Sequence, residues 1–140
     1  MFDARTAPSS NNRPGETMHW FATIGSLTRL GGRITTATTG SAVAGLTLAC
    51  VGDIVTYRDG SEAVIVNGAG FAAVYGDKPF ALVGSELSNG DQIVQSLQSD
   101  CGIAEYRDEP IEGLFDSTYV PTPQESNYRL AVSGACTWEA

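Results

Sequence analysis

Hydrophobic positions along this chain come in short runs, and the runs are cut by glycine-bearing reversals. Trp20 to Ile24, Arg33 to Ala37, Leu46 to Cys50, Asp53 to Tyr57, Ala63 to Asn67, Phe71 to Tyr75, Phe80 to Val83 and Gln92 to Leu97 are β-branched or aromatic stretches. Each is long enough for a strand and too short for an independent helix. Between them stand Gly25, Gly31-Gly32, Gly52-Asp53, Asp59-Gly60, Asn67-Gly68, Gly76-Asp77 and Asn89-Gly90, residue types that tolerate the positive φ of a tight reversal. The pattern predicts consecutive strands paired as hairpins in an all-β domain.

The two ends of the chain have a different texture. Residues 1 to 17 are rich in Pro, Ser, Asn and Arg and offer almost nothing to bury, which predicts a flexible leader. Past Cys101 the apolar density falls. Glu105 to Glu112 reads as a charged connector before the proline-containing stretch from Tyr119, so the domain boundary is expected there. The expected organisation is thus a leader over 1–17, a β domain over 18–101 and a C-terminal extension over 102–140. Leu114, Phe115, Tyr119, Tyr128 and Leu130 need cover from water, which predicts that the extension folds back along the domain rather than forming a further repeat.

An internal echo sharpens the picture. Leu48-Ala-Cys-Val-Gly-Asp-Ile-Val matches Phe80-Ala-Leu-Val-Gly-Ser-Glu-Leu, each an apolar strand entering a Val-Gly-Asp/Ser turn. A fainter echo links Phe21-Ala-Thr-Ile-Gly-Ser-Leu-Thr to Leu130-Ala-Val-Ser-Gly-Ala-Cys-Thr. Repeats of this length imply similar hairpin units assembled around an axis.

Composition narrows the function classes. The net charge of −8 and only 8 Lys and Arg residues argue against nucleic acid or an anionic membrane as partners, since both reward clustered cations. No apolar stretch reaches the length of a membrane span, and the N-terminus lacks a basic-then-apolar signal pattern, so the chain is expected to fold in the cytoplasm. Cys50, Cys101 and Cys136 are odd in number and lack CxxC spacing, which predicts three reduced thiols with Cys50 in a strand.

Read as one string, Ile24-Gly-Ser-Leu-Thr-Arg-Leu-Gly-Gly-Arg-Ile, then Leu48-Ala-Cys-Val-Gly-Asp-Ile-Val, then Pro79-Phe-Ala-Leu-Val-Gly-Ser resembles the PAAR-repeat family. The resemblance covers roughly Phe21 to Leu97 and rests on the order and spacing of its motifs. It implies a small conical hairpin-repeat fold whose base sits on a VgrG-type trimeric spike of a type VI secretion system and whose apex faces the target membrane. It also implies a life in the bacterial cytoplasm before firing and secretion without a signal peptide, with an effector or chaperone as a further partner. The positions that would shape and dock the cone are Gly31, Gly32, Gly52, Asp53, Pro79, Gly84 and Ser85.

Family members often hold a zinc near the apex through His and Cys from three loops. Here the matching positions carry Leu30, Tyr57, Asp59 and Asn89, and zinc selects thiolate and imidazole. The usual site is therefore expected to be missing, with Leu30 and Tyr57 packing together in its place, and no cofactor is expected. A metal elsewhere would require His19, the sole histidine and placed just before the first strand, to meet at least two cysteines.

Catalysis finds little support. Asp53, Asp59, Glu62, Asp77, Glu86 and Asp91 lie in or beside glycine-containing turns, where Asp usually bonds its own backbone. Ser41, Ser61, Ser85 and Ser88 lack a plausible histidine base, and Asn67-Gly-Ala-Gly-Phe is no phosphate-binding loop. The reading is a non-enzymatic spike tip. Its rivals are an effector adaptor working through the C-terminal extension, and an unrelated small β-domain hydrolase or metal-binding protein, which would need a pocket of convergent titratable groups.

Overall fold

The computed structural model describes residues 15–99 and 101–119, and the backbone of 130–132. The strands are β1 (Thr17–Trp20), β2 (Leu27–Thr28), β3 (Arg33–Ile34), β4 (Ala42–Val43), β5 (Leu46–Thr47), β6 (Ile54–Thr56), β7 (Glu62–Val64), β8 (Val74–Tyr75), β9 (Lys78–Pro79), β10 (Ile93–Gln95), β11 (Cys101–Glu105) and β12 (Leu130–Val132). They are short because a glycine turn interrupts the chain every few residues.

Three segments meet at the centre: Phe21 to Thr23, Leu48 to Cys50 and Phe80 to Leu82. Phe21 bridges Leu82, Thr23 bridges Leu48, and Cys50 bridges Phe80, so each segment touches both others. The middle residue is alanine in all three, and the alanines form a closed triangle of backbone bonds. Ala22 N donates to Ala81 O at 3.0 Å, Ala81 N to Ala49 O at 2.9 Å, and Ala49 N to Ala22 O at 3.0 Å. All three are 0% exposed. Three backbones converging on one axis leave room for a methyl group and little more.

Successive residues of a strand face opposite ways, so the triangle separates two cores. Phe21, Leu48 and Phe80 join one, with Val43, Ile103 and Ile111. Ile34, Ile65 and Ile93 join the other, with the three alanines and Val55.

On the isoleucine side the chain makes three hairpins: β2–β3, β6–β7, and one in which Glu86 bridges Gln92. Each pairs with both others. Arg33 and Ile34 pair with Thr56 and Val55, Ile65 bridges Leu87, and Ile93 pairs with Thr28.

On the phenylalanine side there are again three units. Two are the hairpins β4–β5 and β8–β9. The third joins β1 to β11, in register from Gly102 opposite Trp20 to Glu105 opposite Thr17. Equivalent bonds tie all three to the centre: Ile24 N to Thr47 O at 2.8 Å, Val51 N to Pro79 O at 2.9 Å, and Val83 N to Trp20 O at 2.9 Å. Strand β1 therefore stands where β5 and β9 stand, and the far end of the described chain supplies its partner.

This closure redraws the ends. Thr17 and His19 lie in a strand rather than in or beside a leader, of which residues 1–14 fall outside the described residues. The boundary expected after Cys101 falls on the first residue of β11. Local periodicity carries no sign of a strand whose partner is at the other end of the chain. A sequence signal does exist in Gly102: a Cβ there would press on the His19 carbonyl, as one at Gly68 would press on that of Phe80, so close strand approach demands glycine at both.

Other expectations are corrected in detail. Phe71 to Tyr75 is not one strand: a 3-10 turn over Gly70–Ala72 precedes β8, closed by Ala72 N donating to Ala69 O at 3.2 Å. The Phe21 string belongs with the Leu48 and Phe80 strings rather than with the Leu130 string. The Leu130 string instead contributes β12, which pairs with β11 at the outside of a three-stranded sheet. Cys101 is disulfide-bonded, so the expectation of three reduced thiols fails there; Cys136 lies outside the described residues. Cys50 is free and buried, and burial raises its thiol above the ordinary value. The extension does turn back onto the body over Ile111 to Phe115. Phe71 N donates to Glu112 O and Phe115 N to Gly68 O, both at 2.8 Å, while Leu114 and Phe115 pack on the phenylalanine-side core. Tyr128 lies outside the described residues.

Candidate functional site

Each central segment leaves the triangle through the same turn. In Thr23 to Ser26, Cys50 to Asp53 and Leu82 to Ser85 the fourth N–H donates to the first carbonyl at 3.0 Å. The third residue is Gly25, Gly52 or Gly84, at φ 85°, 99° and 106°, a left-handed conformation that other residues adopt only with strain. The fourth side chain returns to the first N–H. Ser26 Oγ accepts from Thr23 N, Asp53 Oδ2 from Cys50 N and Ser85 Oγ from Leu82 N, each at 2.9 Å. Gly52, Asp53, Gly84 and Ser85 thus hold equivalent places around the axis, while the Pro79 carbonyl binds the second turn.

Asp53 does more than its serine counterparts. It also accepts from Thr36 Oγ1 at 3.0 Å and Thr38 N at 3.1 Å, so it fastens the link between the first and second hairpins. It is buried.

The isoleucine-side hairpins end in three turns of one design. Thr28 to Gly32, Tyr57 to Ser61 and Leu87 to Asp91 are each closed by the first N–H donating to the fifth carbonyl and the fourth N–H donating to the first carbonyl, at 2.9 to 3.1 Å. Leu30, Asp59 and Asn89 are the third residues of these turns. With Gly31, Tyr57 and Arg58 they line one shallow depression, so the structure brings together the four positions matched to the family's zinc ligands. Gly31 makes the first turn. Gly32 makes room, since a Cβ there would meet Val55 and the Tyr57 ring at 2.6 and 2.8 Å.

The donor set does not suit zinc. Leu30 has no ligating atom and its side chain is 63% exposed, which also overturns the expectation that it packs with Tyr57. Asp59 is committed to its own turn, accepting from Ser61 Oγ at 2.6 Å and Ser61 N at 3.0 Å; the Ser61 hydroxyl and N–H hold its carboxyl below the usual range. Asn89 donates to Tyr57 Oη at 3.1 Å and accepts from Asp91 N at 3.0 Å. No group of three His, Cys, Asp or Glu residues that could hold a metal occurs among the described residues.

What joins the turns is Asp91, a residue for which the sequence suggested only a local turn bond. Its carboxylate is 0% exposed. Oδ2 accepts from Tyr57 Oη at 2.6 Å, and Oδ1 accepts from Leu30 N at 3.1 Å and Gln92 N at 2.7 Å. Burial pushes its pKa up, but hydrogen bonds from Thr28, Tyr57 and the Gln92 and Leu30 amides outweigh burial and hold it below the usual value. A carboxyl depressed in the folded state contributes stability that is present above its unfolded pKa of about 3.9 and is lost as pH falls through the folded value. Thermal melts of the native chain and Asp91→Asn should therefore differ most near neutrality, with the gap narrowing as pH drops below about 4. A gap that stays constant down to the acid limit would show that the charge of Asp91 adds nothing.

The remaining candidates are structural. His19 sits in β1, its Nε2 3.1 Å from Glu105 Oε1 and its ring edge-on to Phe115. Ser85 Oγ and Ser88 Oγ accept from the backbone N–H groups of Leu82 and Val64, and Ser61 donates to Asp59. Glu86 accepts from Asn67 Nδ2. None of these serines is bonded to His19. Glu16, Glu105, Tyr106 and Arg107 line an open depression beside β1 and β11, and none of the serines singled out above lies in it. Among the described residues no helix is long and apolar enough to cross a membrane.

The signals that sequence reasoning passed over are the alanine triangle, visible as the Ala after Phe21, Leu48 and Phe80, and the buried Asp91. The family model for the PAAR motif matches residues 24–95, over half of the chain, which takes in all three tip hairpins and the central turns except Thr23. Comparisons with curated proteins and with solved structures return no match.

Proposed function

From the premise that this chain belongs to the PAAR-motif family, one of structural spike-tip domains generally associated with type VI secretion rather than a class of enzymes, we propose that it caps a VgrG-type trimeric spike. In that role it sharpens the spike for membrane piercing and helps effector delivery. The observation that carries the reading is the threefold repetition within one polypeptide. A trimer ends in three equivalent surfaces, and a monomeric partner can engage all three only if it repeats its own contacts around an axis. Here the three phenylalanine-side units are bonded to the centre by equivalent carbonyls, those of Thr47, Pro79 and Trp20.

Under this reading the side bearing the turns Ala44-Gly45 and Gly76-Asp77 and the β1–β11 pair is the base that meets the spike. The hairpin turns around Leu30, Asp59 and Asn89 form the leading end. Its work is mechanical and needs no reactive group.

Co-purification of the full chain with its trimeric spike protein tests the reading. One copy per trimer is expected, and Asn89→Ala at the leading end should leave that ratio and the affinity unchanged. Three copies per trimer, or no association at all, would reject the capping role.

A further inference from the structure

In this family a metal commonly ties the apex loops together, yet here the corresponding side chains are hydrocarbon, phenol, a carboxylate spent on Ser61, and an amide with both its groups engaged. Strand pairing joins the three hairpins below their turns, and turns that project beyond it at a leading end resist fraying better when they are tied to one another.

We propose that the tip of this protein is closed without a metal, with the Asp91 carboxylate as the common acceptor that ties all three hairpins together. From the first hairpin comes Leu30 N at 3.1 Å. From the second comes Tyr57 Oη at 2.6 Å. The third hairpin supplies Asp91 itself and Gln92 N at 2.7 Å. Those three donors use most of the accepting capacity of a carboxylate.

Supporting bonds hold the donors in place. Thr28 Oγ1 accepts from Gly32 N at 2.8 Å, which braces the turn that carries Leu30. Asn89 Nδ2 donates to Tyr57 Oη at 3.1 Å, which directs the phenolic proton towards Asp91. Arg29 reaches across to Gly90 O at 3.2 Å and its backbone N–H donates to Gln92 O at 2.9 Å, further ties between the first and third hairpins. Hydrogen bonds to an ionised, desolvated acceptor are the strong kind. One anion accepting from three sides does the geometric work that one cation does when it is ligated from three sides.

The test combines metal content with melting. Purified full-length chain should carry far less than one zinc per molecule and melt at the same temperature with and without a chelator. Asp91→Ala should lower the melting midpoint by roughly 10 °C, and Tyr57→Phe, which removes one donor, by a few degrees. If Asp91→Ala does not fold, Asp91→Asn and Tyr57→Phe decide the matter. Stoichiometric zinc, a midpoint lowered by chelator, or native melting of Asp91→Asn and Tyr57→Phe would each overturn the proposal.

Discussion

Ala81→Leu is expected to cost about 3 kcal/mol or more of folding stability, read as a lower denaturation midpoint. Ala81 is fully buried and both its backbone groups belong to the alanine triangle, with N donating to Ala49 O and O accepting from Ala22 N. A larger side chain cannot be accommodated by turning outward, because the opposite face of the same segment is already filled by Phe80 and Leu82. The segments must separate, which lengthens three hydrogen bonds at once. The same substitution at Ala22 or Ala49 should have a similar effect, since the three sites are related around the axis. Leu30→Ala, on the exposed side of a tip turn, should change stability by no more than about 0.5 kcal/mol. If Ala81→Leu melted as the native chain does, the axis would be loosely packed and the threefold account of the fold would fail.

Asp53→Ala should destabilise by about 3 kcal/mol, the second-largest expected effect, because it strands several donors. Cys50 N would lose its acceptor in a buried setting, and Thr38 N and Thr36 Oγ1, nearer the surface, would lose theirs. Asp53→Ser offers a discriminating companion. In the two sister turns a serine bonds the same N–H, so serine at 53 should restore the Cys50 bond and recover about 1 kcal/mol, while leaving the ties to Thr36 and Thr38 broken. Equilibrium unfolding of the three chains gives the comparison. Equal losses for serine and alanine would mean that the turns are alike in shape but not in energetics.

The hairpins and their turns could be read from the chain because each is local. A β-branched run, a glycine pair and a second run announce a reversal whatever lies elsewhere. The family resemblance drew on the same local signals, and the residues it singled out, Leu30, Tyr57, Asp59 and Asn89, line one depression. What joins them was hidden for a different reason. Asp91 sits beside Gly90 and looks like an ordinary turn aspartate; only its burial against Tyr57 and Leu30, brought from two other hairpins, distinguishes it. The alanine triangle was likewise written three times, after Phe21, Leu48 and Phe80. Alanine has no pattern of its own, however, and its meaning emerges only when three backbones meet. The role of β11 was least accessible, since nothing in the charged stretch after Cys101 points back to Thr17.

That last pairing has a consequence for how the protein is made. His19 and Glu105 are 86 residues apart in the chain yet face each other across the third unit. Synthesis runs from one end to the other, so β1 emerges from the ribosome long before the strand that completes it. Until residues 101 to 105 have followed, the nascent chain carries an open β edge with unpaired backbone groups, the kind of edge that recruits wrong partners. Nonlocal closure of this sort is also slow. Premature termination ahead of Cys101 would leave a product with two finished sectors and one raw seam, and such fragments should be selectively prone to self-association.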